Sequence, residues 1–157
     1  MAVIKSWLVF ANRDKCHHAE ALYELGFVNW KARNSFKMSI GDYVYLYVSD
    51  DRRVRFKTQV VASNCERKDD KYWQIPPSHD PTYKLEFRDE YNGHELDDAV
   101  LREHGFNGGG SILTPNYKNT ALLEYIESVF SKEGYGHIID DVVPQDKSRE
   151  LVKGRFY

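Results

Sequence analysis

Cysteine is scarce in this chain: its 157 residues hold two, Cys16 and Cys65. One disulfide is possible, but the dense framework of small secreted domains is excluded. Long apolar runs are also missing. No stretch of about 18 apolar residues could span a bilayer as a helix. The first residues lack the charged-then-apolar pattern of a secretory signal. These absences predict a reduced, cytoplasmic protein with no membrane partner. A global basic field is absent too, because the net charge is -2; nothing overall announces a nucleic-acid partner. The GxxxxGK[ST] loop of nucleotide-triphosphate sites does not occur. Cys16, His17 and His18 form a row of ligand types, yet neighbours on a helix point apart. No second cluster completes a tetrahedral metal site. His94, His104 and His137 are scattered, so neither a metal, a cofactor nor a Cys-His nucleophile is expected.

What the chain does have is aromatic surface. Phe, Trp and Tyr make up 14% of it, with 11 Tyr and 3 Trp. Hydrophobic residues at 41% and charged residues at 29% suit one globular domain with a real core. Charge is uneven. Residues 1–57 carry 10 Lys/Arg against 6 Asp/Glu, and residues 58–157 carry 12 against 18. Attraction for phosphate is therefore expected to be local, on the N-terminal half.

Patterning then places the elements. "VIKSWLVFA" (3–11) is a first strand. "DKCHHAEALYEL" has helical apolar spacing, with Asp14 as a possible N-cap and Gly26 as the stop. Residues 29–39 are polar and mixed, a loop with a short turn. "YVYLYVS" (43–49) puts Val44, Leu46 and Val48 on one face and Tyr43, Tyr45 and Tyr47 on the other. "DDRR" is a tight turn. "VRFKTQVVAS" returns with Val54, Phe56, Thr58 and Val60 on one face and Arg53, Arg55, Lys57 and Gln59 on the opposite face. "TYKLEFRDEY" (82–91) is a further strand with Tyr83, Leu85 and Phe87 inward. A short helix, "ELDDAVLREHGF", and a glycine-rich loop, "NGGGSILTP", come next. Residues 119–134 form the clearest helix, capped by Asn119 or Thr120 and ended by Gly134, with Leu122, Leu123, Ile126, Val129 and Phe130 as its apolar stripe. The expected class is α+β around a curled antiparallel sheet. The domain is expected over 1–134, with 135–157 a polar C-terminal tail or extension.

The stretch "NWKARNSFKMSIGDYVYLYVSDDRRVRFKTQVV" resembles the core of an EVE domain, a branch of the PUA-like superfamily. The similarity lies in a Trp, an Arg-Asn, a Gly-Asp before an aromatic strand, and the returning hairpin. "SWLVFANRD" is similar to the family's first strand, and "DDAVLREHGFNGGGSILTPNYKNTALLEYIESVF" to its second half. Residues 4 to 130 are covered. The nearest variant is the N-terminal domain of HNH-type modification-dependent restriction endonucleases. The resemblance implies a PUA-like pseudo-barrel flanked by a few helices. It also implies a pocket for a modified base, of 5-methylcytosine or 5-hydroxymethylcytosine type, flipped from DNA. No HNH motif or zinc-binding Cys pair is present, so the resemblance implies no catalysis in this chain. Any nuclease would be a separate domain or subunit.

A flipped base needs flat walls and polar groups for its edge. Trp30 matches the family Trp near the pocket, Trp73 could supply the opposing wall, and Tyr45 or Tyr47 the floor. The alternative for each is a core aromatic. Trp7, inside an apolar strand, is expected in the core. Asn12, Asn34 and Ser35 could read a base edge, although Asn34 and Ser35 equally suit a turn. Asp42 is expected to be structural. Arg52, Arg53, Arg55 and Lys57, with Arg33, could track phosphates; the alternative is a solvated strand face. Competing readings are a reader of modified RNA, a small-metabolite sensor or enzyme on the same fold, and a protein-interaction domain.

Overall fold

The computed structural model describes residues 4–108, 115 and 117–142, with side chains described to Lys132. Five strands form one sheet: β1 (Ser6–Ala11), β2 (Phe27–Lys31), β3 (Tyr43–Val48), β4 (Arg53–Cys65) and β5 (Thr82–Glu90). Three α-helices accompany them: α1 (His18–Leu25), α2 (Asp98–Arg102) and α3 (Thr120–Val142). The strand order is β1-β3-β4-β5-β2, which places β1 and β2 at opposite edges. This is an α+β fold whose sheet curls into the half-barrel of a PUA-like pseudo-barrel.

Two expectations about the sheet need correction. It is mixed rather than wholly antiparallel: β1 runs parallel to β3, from Ser6 beside Tyr43 to Ala11 beside Val48. A parallel neighbour needs a crossover, and α1 with β2 supplies it. The second correction concerns residues 29–39, expected as a loop. Phe27–Lys31 is an edge strand, paired antiparallel with β5 so that Trp30 faces Tyr83. A five-residue strand with two polar positions has too short a pattern to announce itself.

Local chemistry sets the remaining boundaries. Gly26 sits at φ 84° and its N–H reaches the Leu22 carbonyl, the left-handed stop that glycine allows at least cost. Asp14 does not cap α1; His17 occupies that position without a side-chain bond. Asn119 caps α3, its Oδ1 accepting from the Leu122 N–H at 3.2 Å. The helix runs past Gly134 to Val142. Most of the glycine-rich loop, including Gly109 and Gly110, lies outside the described residues. So does the tail beyond 142.

Apolar side chains pack on both faces of the sheet. On one face Trp7, Val9, Val44, Leu46, Val48, Phe56, Val60, Tyr83 and Leu85 meet Ala21 and Leu22 of α1. On the other, Leu8, Tyr45, Tyr47 and Val54 meet α2 and the α3 stripe of Leu122, Leu123, Ile126, Val129 and Phe130. Burying each such large side chain contributes roughly 1.5–3 kcal/mol. The pairing of β4 with β3 is irregular at one place. Tyr47 pairs with Val54 and Leu46 pairs with Phe56, so Arg55 is the extra residue of a β-bulge. Val54 thereby turns to the α3 side while Phe56 stays on the α1 side, against the single face expected for both.

Asp42 ties the start of β1 to the turn before β3. It is fully buried. Its carboxylate accepts from Lys5 N–H, Trp7 Nε1–H and Ser39 N–H, each at 2.9 Å. Gly41, at φ 100°, makes the turn possible. Trp7 is thus a core indole with its one polar atom satisfied. Hydrogen bonds to a charged group are each worth about 1.5–3 kcal/mol. Asp42→Ala is expected to cost about 4 kcal/mol, read as a lower urea midpoint, with Asp42→Asn falling between it and the parent. An unchanged midpoint would contradict this role.

Candidate functional site

Because β1 and β2 are the two edges, a gap remains between them. A cavity of about 460 Å³ occupies it. Val9, Phe10 and Asn12 line it from β1 and its end; Asn29, Trp30 and Lys31 line it from β2. His18 of α1 and the loop residues Arg67, Trp73, Pro77 and Ser78 also line it.

The loop is held there by bonds that its sequence explains. Pro76 and Pro77 bar regular structure in "YWQIPPSHDP". The chain instead zips onto the approach to α1: His17 N–H donates to the Tyr72 carbonyl at 2.8 Å, and Gln74 N–H to the Lys15 carbonyl at 2.9 Å. A second lock joins the loop to β2. Asn29 N–H donates to Asp69 at 2.9 Å, and the Asn29 side chain donates to Thr82 and accepts from Lys68 N–H. Arg67 donates to Asp69 at 2.7 Å and to the Asn29 carbonyl at 3.1 Å. Its guanidinium lies 4.6 Å from the Trp73 ring centre, a cation–π contact that fixes the indole.

Three rings converge. The His18 ring centre lies 5.7 Å from Trp30 and 6.4 Å from Trp73. His18 is only 5% exposed. Burial, reinforced by Arg13, pushes its imidazole down to about 4, so the ring is neutral at physiological pH. Its Nδ1 has no hydrogen-bond partner. A neutral imidazole offers one donor and one acceptor. Among the described residues no carboxylate lines the cavity, but Lys15, Lys31, Arg33 and Arg67 do. Lys31 is paired with Asp80 at 3.1 Å and Arg67 with Asp69. Among the described residues, Lys15 and Arg33 make no ion pair.

Of the positions singled out from sequence, Trp30, Trp73, Asn12 and Arg33 share this cavity. Asn34 and Ser35 do not line it. They are exposed at the turn closed by the Arg33–Phe36 bridge, the alternative considered for them. Tyr45 and Tyr47 are on the opposite face of the sheet and form no floor. Tyr45 is fully buried 5.4 Å from Phe130. Tyr47 donates to Asp98 at 3.0 Å, and burial with that bond pushes its phenol up to about 12. The aliphatic face of β3 points toward α1 and the tyrosine face toward α3, so the rings fill core.

The basic stripe is also not a free phosphate track. Arg52 pairs with Asp98 at 3.6 Å and Arg53 with Asp51 at 3.6 Å. Arg55 pairs with Glu90 and Asp51, each at 2.8 Å, and Lys57 with Glu127 at 3.2 Å. Arg52 and Arg53 border a separate open hollow with Asp51, Asp97 and Asp98. The anions that β4 lacks come from β5, the β3–β4 turn and the helices.

His18, Asn29, Lys15 and Arg67 escaped sequence reasoning. His18 was legible only as part of a Cys-His-His row, and Arg67 only as one charge in a charged loop. The nucleophile and metal readings gain nothing. Both cysteines are free, and burial pushes the Cys16 thiol up to about 12. Among the described residues, no group of three or more His, Cys, Asp or Glu could hold a metal. No described helix is long and apolar enough to cross a membrane.

No family model and no curated protein matches the sequence. A solved structure of a hypothetical protein from Leishmania major is similar in fold, with a TM-score of 0.56 at 16% identity. The match covers 84% of this chain and 98% of that one. Fold and cavity together define a PUA-like pseudo-barrel with an aromatic, cation-rimmed slot between its sheet edges.

The buried histidine has a consequence for stability. Its folded value, about 4, lies below the ordinary 6.5. Between those values the unfolded chain binds the proton and the folded chain does not. His18 therefore costs nothing above pH 6.5, and stability is lost as pH falls toward 4, by about 3 kcal/mol in all. Denaturant unfolding of the parent and His18→Gln across pH 4 to 7.5 checks this. The variant is expected to lose less stability on acidification; parallel curves would contradict the assignment.

Proposed function

We propose that this chain is a non-catalytic DNA-binding module of the EVE type. In this reading a modified cytosine, 5-methyl or 5-hydroxymethyl, flips into the slot between Trp30 and Trp73. The observation that supports it is the convergence of Trp30, Trp73 and neutral His18 on one cavity of about 460 Å³. That size falls within the range of roughly 300–1,000 Å³ typical of small-molecule sites. Stacking on aromatic side chains is worth about 1–3 kcal/mol per base. Two indole walls can therefore offset the few kcal/mol that unstacking costs. The Asn12 amide and the His18 ring supply polar groups for the base edge. Lys15 and Arg33 line the slot, and in this reading they meet phosphates on either side of the flipped nucleotide. The free thiols of Cys16 and Cys65 suit a reducing, cytoplasmic setting, and a restriction or defence role would draw its nuclease from another domain or subunit.

Fluorescence anisotropy with matched duplexes tests the reading. Wild type is expected to bind a duplex carrying one modified cytosine at least about tenfold more tightly than its plain counterpart, a difference of about 1.4 kcal/mol. Trp30→Ala and Trp73→Ala are expected to abolish that difference, while Tyr45→Phe keeps it. Equal affinity for both duplexes in the wild type would remove the proposal. Stronger binding of a modified RNA oligonucleotide would move it to RNA.

The charge assignment has its own readout. Each phosphate neutralised adds about 0.9 to the slope of log affinity against log salt. Arg33→Gln and Lys15→Gln are each expected to lower that slope by about 1 without altering stability. Arg55→Gln should instead lower stability by about 1 kcal/mol, since it breaks a half-buried bond to Glu90 and an exposed one to Asp51. The reverse pattern would restore the β4 stripe as the phosphate track.

A further inference from the structure

A base that leaves the stack opens a gap in the duplex, and an apolar side chain inserted from the protein can hold that gap open. Such a side chain must be exposed before binding, stand beside the slot and be stiffly mounted. Among the described residues, the large apolar side chains left exposed are Ile4, Tyr23, Ile40, Ile75 and Tyr117. Four of them are accounted for elsewhere. The Tyr23 hydroxyl is held by Glu90 and Arg55. The Tyr117 ring centre lies 4.7 Å from that of Trp7. Ile4 and Ile40 precede β1 and β3, at the other end of β1 from the slot residues Phe10 and Asn12. Ile75 remains, 58% exposed.

A single exposed aliphatic is ordinary on a protein surface, and it is the mounting that sets Ile75 apart. Trp73, Pro77 and Ser78 line the slot, while Ile75, between them in the chain, does not. It therefore stands at the rim. The residues just before it are stapled to the approach to α1. Trp73 bridges to Cys16, Gln74 N–H donates to the Lys15 carbonyl at 2.9 Å, and Gln74 Nε2 donates to the Arg13 carbonyl at 3.1 Å. The residues just after it are Pro76 and Pro77, whose rings fix the backbone. Branching at Cβ restricts the side chain as well, so little rotamer freedom is left to lose on insertion.

We propose that Ile75 is a wedge: it enters the base stack of a DNA duplex and fills the space left by the base that Trp30 and Trp73 receive. This rests on the base-reading role proposed above and adds the contact that suits the site to a duplex. Unstacking a step of duplex costs a few kcal/mol, and a base in a single strand is largely spared that cost. Ile75 offsets this cost and does not touch the base in the slot, so its effect depends on whether a second strand is present.

The test uses the full chain, Ile75→Ala and Ile75→Leu, with one 5-hydroxymethylcytosine placed in a duplex and in the same strand alone. Plain versions of both serve as references. Anisotropy titrations at one fixed salt concentration are expected to show Ile75→Ala binding the modified duplex about tenfold more weakly than wild type. The same variant should bind the modified single strand within about twofold of wild type, and Ile75→Leu should keep the duplex affinity. Because Ile75 is exposed, the urea midpoint of both variants should match the parent. If Ile75→Ala binds the modified duplex as tightly as wild type, the wedge is overturned and the base-reading role stands. If duplex and single strand weaken equally, Ile75 touches the base or the backbone and the wedge is again overturned. If wild type fails to prefer either modified form over its plain counterpart, the base-reading role is overturned and the wedge falls with it.

Discussion

A sheet that curls without closing must leave two edges, and an edge strand carries backbone groups with no ladder partner. Here those edges are β1 and β2, the two ends of the order β1-β3-β4-β5-β2. They do not pair with each other. The α1 helix and the 66–78 loop are drawn across the opening instead, and the slot is the space they do not fill. Its geometry depends on two anchors. Asp42 fixes the start of β1, and the Asn29–Asp69–Arg67 cluster fixes the loop to β2. Both anchors are carboxylates satisfied by several donors, the arrangement under which a buried charge is tolerated. One consequence is a pre-formed wall: Trp73 is set by Arg67 on the loop, and Trp30 by the register of β2 against β5.

The two faces of β3 divide the labour of the molecule. Its aliphatic side packs with α1 into the interior that continues into the slot. Its tyrosine side is covered by α2 and α3. The Arg55 bulge then lets β4 follow this division while its sequence keeps a strict two-residue alternation. Charge follows a similar division of roles. Arg52 and the cations of β4 are consumed by Glu90, Asp51, Asp98 and Glu127, so they knit the hairpin to its surroundings. Among the described residues, the slot's cations without ion pairs are Lys15 and Arg33, which leaves the positive potential at the opening rather than along the strand.

Much of this fold was legible in the sequence wherever a pattern was long and local. The β3–β4 hairpin, β5, the α3 stripe and the Gly26 stop follow from periodicity and from glycine's backbone freedom. Trp7 as a core residue follows from its apolar neighbours. What stayed hidden was set by distance. The strand Phe27–Lys31 exists because β5 pairs with it, and its own five residues carry no clean alternation. The parallel pairing of β1 with β3 and the bulge at Arg55 are decided between strands. Arg55 looked free because its partners Glu90 and Asp51 lie outside its strand. His18 looked like part of a ligand row because its burial, and so its neutrality, depends on a loop some fifty residues away. Trp30 and Trp73 could be singled out as flat surfaces, but only the fold shows that both line one cavity.

The central claim is that Trp30 and Trp73 face a shared slot that accepts a nucleobase, while Trp7 is locked on Asp42. The three indole N–H groups are separately observable by nitrogen-15 NMR. Titration with 5-hydroxymethyl-deoxycytidine tests the claim at the level of single side chains. The account predicts progressive, saturable movement of the Trp30 and Trp73 indole signals with the Trp7 signal stationary. Stationary Trp30 and Trp73 signals at saturating nucleoside, or movement confined to Trp7, would contradict it.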